Sequence, residues 1–169
     1  MGLLRRLDAA ARAGFPGMFT AFLIILAAVP VGIPGIVGAV SLPCIFFWTI
    51  FRPAAMPAPV VFSLGLLQDL LSFAALGTGV LTLLILHGVT LRLRDILARQ
   101  SFLANWLVFC GFALCAVTLG WVLQAILGWM LPPVAPGLHQ LGIAAGLYPA
   151  LAWVLSRVHT AMRRAETAL

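Results

Sequence analysis

One carboxylate lies inside a nearly unbroken apolar stretch of this sequence. Asp69 sits within the segment from Phe62 to Gly79, which reads FSLGLLQDLLSFAALGTG. Placing an ionisable side chain at membrane depth costs on the order of 2.5 to 3.5 kcal/mol, so such a residue tends to face a protein interior or a cavity and to serve a purpose. Asp69 is therefore the first residue whose chemistry has to be explained.

Three roles are open to Asp69. The carboxyl group can be structural, capping a helix end or bonding to a neighbouring hydroxyl, it can dock a partner helix, or it can handle a proton or a substrate. A proton relay needs further ionisable groups near the same depth, and the sequence offers none there. Hydroxyl groups at about the same predicted height are its candidate hydrogen-bond partners: Thr78, Thr82, Thr118 and Tyr148.

The composition predicts an integral membrane protein. The chain has 169 residues, of which 63% are hydrophobic and 8% charged, and its mean hydropathy is +1.15. Such a chain has too little polar surface to cover itself in water. With roughly 20 residues for each membrane-spanning helix, it has room for six spans and little else. The predicted fold class is an all-α integral membrane protein, a single domain built as a six-helix transmembrane bundle.

Six apolar segments, separated by proline, glycine and arginine residues, are the predicted spans. They cover 15–31, 37–51, 60–73, a segment that follows a tight connection at 74–79 and ends at Arg92, then 102–127 and 138–157. Residues 1–14 form a short amphipathic head, and residues 158–169 form a basic tail. The charged stretch from Arg92 to Arg99 is predicted to be the largest polar loop in the middle of the chain.

The arginine residues predict the orientation of these spans. All ten basic residues are arginines, and the six-span arrangement places every one of them on the same side. The positive-inside rule makes that side the cytoplasm, so both termini are predicted to be cytoplasmic. Arginines at helix ends beside a bilayer contact lipid headgroups. This role explains the excess of basic over acidic residues better than binding to nucleic acid does.

No catalytic or metal-binding pattern is recognisable in the sequence. It has no Ser/His/Asp set at one depth, no paired carboxylates and no glycine-rich phosphate loop after a strand. His87 is interpreted as a packed residue, and Cys44, Cys110 and Cys115 as buried, reduced thiols without ligand spacing. We therefore expect no enzymatic activity, no cofactor and no metal.

Two pairs of residues four apart mark helix faces that other backbones can approach closely. Gly65 precedes Asp69 by one such interval, and Gly142 precedes Gly146 by another. Small residues at this spacing allow close helix contact, either within the protein or with a partner helix.

The segment around Asp69 resembles a known family. The run Gly65-Leu-Leu-Gln-Asp69-Leu-Leu-Ser72, followed by Leu76-Gly77 and a new apolar helix, is similar to the pattern Gly-x-x-x-Asp-Leu and then Leu-Gly of the rod shape-determining membrane protein family MreD. The layout resembles that family over nearly the whole chain, with a Pro43-containing second span, a basic stretch after the fourth span and a basic tail. The proline- and glycine-rich first hairpin, 30–38, departs from it.

The resemblance implies a non-enzymatic component of the bacterial cell-elongation machinery in the inner membrane. Proteins of this family act with MreC, alongside RodA, a penicillin-binding transpeptidase and MreB, to maintain rod shape by scaffolding peptidoglycan synthesis. The implied structural or partner-docking residues are Gly65, Asp69, Ser72 and Gly77.

A second function is also open. The family is similar in fold to the substrate-binding subunits of energy-coupling-factor vitamin transporters, whose six-helix bundles have a pocket open to the outside. The alternative is therefore a substrate-binding membrane subunit of a small-molecule transporter. The few polar residues in the predicted outer half disfavour a highly polar ligand.

Overall fold

The structure is a computed structural model that describes residues 2–29, 35–72, 76–128 and 133–167. Within these residues the chain forms six α-helices and one short 3-10 turn, and no β-strand. The α-helices, in chain order, are α1 (Gly2–Ala28), α2 (Ile36–Phe51), α3 (Ala58–Ser72), α4 (Thr78–Leu97), α5 (Phe102–Gly128) and α6 (Ala135–Thr167), and the 3-10 turn is Pro53–Ala55. The all-helical prediction is confirmed for the described part of the chain.

The helices extend beyond several of the predicted spans. α1 includes the predicted head, and α6 continues through most of the predicted tail. Arg92, Arg94 and Asp95 lie in the last turns of α4, which corrects the prediction of a charged loop. Arginine has a high helix propensity, and neither proline nor glycine interrupts this segment. Only Arg99 of this group lies in the turn that follows.

α2 forms the centre of the fold. It contacts each of the other five α-helices, and every residue from Val37 to Ile50 is buried. Its sequence is apolar on nearly every side, which is the pattern of a helix that is covered all round. The ring of Phe46 packs against those of Phe109 and Tyr148, with centroids 5.5 and 6.1 Å apart. A short segment interrupted by a proline is therefore the core around which the longer helices pack.

Among the residues that the structure describes, two helices are long and apolar enough to cross a membrane. The segments Phe102–Ile126 of α5 and Ala135–Arg164 of α6 contain windows with mean hydropathies of 2.2 and 1.4. Only 17% and 22% of these windows are buried inside the protein, so most of their residues are half-buried or exposed. Gly14–Ala28, Ile36–Phe51 and Ala58–Ser72 are apolar helical segments of shorter length.

The direction of the helices gives the fold two different ends. Helices that are consecutive in the chain pack against one another, and short connections make such neighbours antiparallel. The first turns of α2, α4 and α6 therefore lie at one end with the last turns of α3 and α5, and we call this the Asp69 end. The opposite end carries the described arginine side chains of the connections and helix termini, and we call it the arginine end.

Gly65 and Gly88 provide a matched test of the α3–α4 contact. A Cβ atom on Gly65 would lie 2.7 Å from the Cα atom of Val80, whereas a Cβ atom on Gly88 would meet nothing within 4 Å. We expect Gly65→Ala to push the helices apart and to lower the free energy of unfolding by about 1 to 3 kcal/mol. Gly88→Ala should leave it unchanged or raise it by up to about 1 kcal/mol, because alanine favours the helix.

Unfolding of both variants in detergent, followed by circular dichroism, measures this difference. Equal stabilities would contradict a close approach of the two backbones at Gly65.

Candidate functional site

The carboxylate of Asp69 binds the first turn of α4. Its Oδ2 atom accepts hydrogen bonds from the backbone N–H groups of Gly77, at 2.8 Å, and Val80, at 3.4 Å, and its Oδ1 atom accepts one from Gly79 at 2.9 Å. The first N–H groups of a helix have no partner within the helix, and its N-terminus carries a partial positive charge. Asp69, which is only 1% exposed, therefore caps α4 from a neighbouring helix.

Three glycines make this approach possible. Gly77 has a φ of +99°, a left-handed conformation that turns the chain into α4 and that glycine adopts without steric cost. A Cβ atom on Gly79 would overlap Oδ1 of Asp69, and one on Gly65 would collide with the backbone of Val80. Gly65, Asp69 and Gly77 are thus parts of one packing unit that joins α3 to α4.

Side-chain amides of α3 and α6 lie against α2 beside this unit. Ser41 of α2 donates a hydrogen bond to Oε1 of Gln68 in α3. A Cβ atom on Gly38 would overlap Nε2 of Gln140, so the amide of this α6 residue lies directly against the α2 backbone. Gly35, with a φ of +82°, lies against the same side chain, since its Cβ atom would be 2.9 Å from Cβ of Gln140.

These groups surround a cavity of about 640 Å³ at the Asp69 end. Residues of α2, α3, α4, α5 and α6 line it, and its volume lies within the roughly 300 to 1,000 Å³ that is usual for small-molecule sites. Its polar or indole-bearing lining residues are Gln68, Asp69, Ser72, Thr78, Thr82, Trp121, Gln124 and Gln140.

Two of the predicted hydrogen-bond partners of Asp69, Thr82 and Thr118, donate their hydroxyls to backbone carbonyls of their own helices. The hydroxyl of Thr82 donates to the carbonyl of Thr78, and that of Thr118 donates to Leu114 in its own helix. Tyr148 stacks on Phe109, with ring centroids 4.4 Å apart. The hydrogen bonds described above reach the carboxylate from backbone N–H groups at the start of α4, which were not among the predicted partners.

The cavity brings together several of the residues that the sequence singled out. Ser72, Thr78 and Thr82 line it with Asp69, whereas Thr118 does not. Gly79, Gln68 and Gln140 were not among the site residues that the sequence predicted. The pair Gly77 and Gly79 at the start of an apolar helix was a usable signal, but the partners of Gln68 and Gln140 come from helices distant in sequence.

The other candidate groups lie away from this cavity. His87 is buried, with its Nδ1 atom 3.0 Å from the hydroxyl oxygen of Thr49, which fits the interpretation of a packed residue. Cys44 is buried, but Cys110 is only half-buried and Cys115 is exposed, which corrects the prediction that all three thiols are buried. α5 is apolar on every side, so its sequence does not reveal which positions face outward.

Comparison with known proteins finds no matching family model, no matching curated protein and no matching solved structure.

Asp69→Ala and Asp69→Asn test the capping of α4. Asp69→Ala leaves three N–H groups without their acceptor and should lower the free energy of unfolding by about 1 to 3 kcal/mol. Asp69→Asn keeps one acceptor oxygen and should cost less. Amide hydrogen exchange of the segment 76–83 should accelerate in the same order.

Asp95 supplies the control, since its carboxylate is exposed and only contacts Nε of Arg94 at 3.3 Å. Asp95→Ala should change stability by less than about 0.5 kcal/mol. If Asp69→Ala were as stable as Asp95→Ala and exchanged no faster, the cap would contribute nothing to the fold.

Proposed function

We propose that this chain is a non-enzymatic scaffold of the bacterial cell-elongation machinery that acts with MreC in the inner membrane. In this proposal the six helices span the membrane, both termini are cytoplasmic, and RodA, a penicillin-binding transpeptidase and MreB belong to the same assembly. The scaffold organises peptidoglycan synthesis along the side wall and binds no nucleic acid.

The observation that carries this proposal is an open small-residue face on α6. Gly142 and Gly146 are exposed, and a Cβ atom on either would meet nothing within 4 Å. Gly65, by contrast, has its space filled by Val80. Small residues four apart let a partner helix approach closely in a bilayer, so the α6 face suits the single membrane helix of MreC.

Two further features support the proposal. Three residues of the segment that resembles the MreD family pattern take part in one contact: Gly65 lies against Val80, and Asp69 accepts a hydrogen bond from the N–H group of Gly77. The arginine end suits the anionic lipids of a cytoplasmic leaflet. The 16-residue α2 is only about 24 Å long, but because the other helices cover it, it need not match the lipid thickness.

Gly142→Leu and Gly146→Leu test the docking face. Each variant places a bulky side chain where the partner helix would pack, and we expect co-purification with MreC to fall about tenfold, equivalent to about 1.4 kcal/mol. Cells that carry either variant should become wider and rounder. Gly111→Leu is the matched control, because Gly111 is also an exposed helical glycine with open space around its Cβ position.

Capture of MreC at the wild-type level by both α6 variants would contradict the proposed face. A loss of capture in Gly111→Leu as well would indicate a general defect rather than docking.

A reporter that is active only outside the cytoplasm tests the proposed topology. Fused near Ala135, at the start of α6, it should be active, and fused after the last residue it should be inactive, because all the arginines then lie inside. Activity at the C-terminus would exclude the six-span arrangement.

The cavity favours a second candidate function, the substrate-binding membrane subunit of a small-molecule transporter. A pocket of about 640 Å³ between helices, open at one end of the fold, is the feature on which such a subunit depends. Capture of an ATPase-linked coupling protein by the purified chain, together with normal cell shape after depletion, would favour this function over the scaffold.

A further inference from the structure

We infer that the cavity at the Asp69 end binds an uncharged ligand that joins a hydrogen-bonding group, carrying both a donor and an acceptor, to an apolar body. The inference rests on the second candidate function and deepens it, because it names the chemistry of the ligand. It does not depend on the docking of MreC.

The charges of the lining favour an uncharged ligand over an ionic one. No lysine, arginine or histidine is among the described lining residues, and the sequence has no ionisable residue at 30–34, 73–75 or 129–132. An anion would therefore find no cationic side chain in this lining, and the N–H groups at the start of α4 that could bind it already donate to Asp69. A cation gains little, because three N–H groups of α4 already occupy both oxygens of that carboxylate and the positive end of the helix offsets its charge.

Carboxamides supply the hydrogen-bonding edge of the cavity. Gln124 of α5 and Gln140 of α6 line it, and neither side chain forms a hydrogen bond within the described part of the chain. Each carboxamide presents an oxygen acceptor beside an NH₂ donor in one plane. The complementary ligand group has the same pair of functions, as an amide, a ureide or a hydroxyl group does.

Apolar and small residues form the remaining walls. Leu42, Leu83 and Val117 supply aliphatic surface, and the indole of Trp121 supplies an aromatic face. Gly120 leaves open space beside them, since a Cβ atom there would meet nothing within 4 Å. A cavity with apolar walls and a few convergent polar groups is typical of sites for small organic molecules.

Benzamide, benzoate and benzamidinium test the charge preference, because the three probes share one shape and carry zero, negative and positive charge. Binding to the protein in phosphatidylcholine nanodiscs, measured by saturation-transfer NMR, should be at least about tenfold tighter for benzamide than for either ion. Gly120→Leu fills the cavity, and Gln124→Leu removes an amide at nearly constant volume, so both should abolish benzamide binding.

Gly111→Leu, on the same helix but outside the lining, should bind benzamide as the wild type does. The melting temperature of each variant shows whether it is folded, and Gln124→Leu keeps the test valid if Gly120→Leu does not fold. Absence of benzamide binding, equal or tighter binding of either ion, or binding that survives both cavity variants would overturn the inference.

A second arm distinguishes two sources of such a ligand, a solute and a membrane lipid. Nanodiscs that contain galactosyl diacylglycerol offer the same chemistry as an uncharged lipid headgroup. If galactosyl diacylglycerol competes with benzamide, the natural ligand is a lipid. If the lipid does not compete, the natural ligand is a solute. The ligand site and the transporter function are tested by different results. If the protein binds benzamide but captures no coupling protein, the ligand site is supported and the transporter function is contradicted.

Discussion

The bond between the carboxylate of Asp69 and the first turn of α4 is the constraint on which the Asp69 end of the fold depends. Burial removes water from the carboxylate, and the N-terminus of a helix leaves N–H groups without hydrogen-bond acceptors. The hydrogen bonds between them offset both free-energy costs. Gly77 and Gly79 allow the contact because a side chain at either position would strain or block it. The joined α3 and α4 then form one wall of the cavity.

The central position of α2 explains how short helices contribute to this architecture. Because protein covers α2 on all sides, its length is set by packing and not by contact with lipid. In its first turns, Gly38 lets the amide of Gln140 lie against the α2 backbone, and Ser41 donates a hydrogen bond to Gln68. These two contacts set the polar side of the cavity. The same helix carries Phe46 into an aromatic cluster with Phe109 and Tyr148 nearer the middle of the fold.

The two proposed functions use separate surfaces, so one fold can accommodate either. The face with Gly142 and Gly146 looks outward from α6, whereas the cavity opens between five helices at the Asp69 end. A scaffold needs the first surface and a transport subunit needs the second. A chain that used both would connect ligand binding to partner binding through α6, because Gln140 lies one helical turn or less from Gly142.

By itself the sequence determined that the described chain is helical and where α2, α3 and α5 begin and end, because apolar run length, proline and glycine are local signals. An isolated carboxylate among glycines also marked the segment around Asp69. The sequence also predicted a close contact at Gly65. Only the tertiary structure decided that Asp69 binds backbone amides, that Arg92 to Asp95 are helical, that Cys115 is exposed, and that Gln68 and Gln140 face one cavity. The reason is that helices apolar on every side carry no periodic signal for their neighbours, so the contacts between them are set by shape and by the few polar groups that must be satisfied.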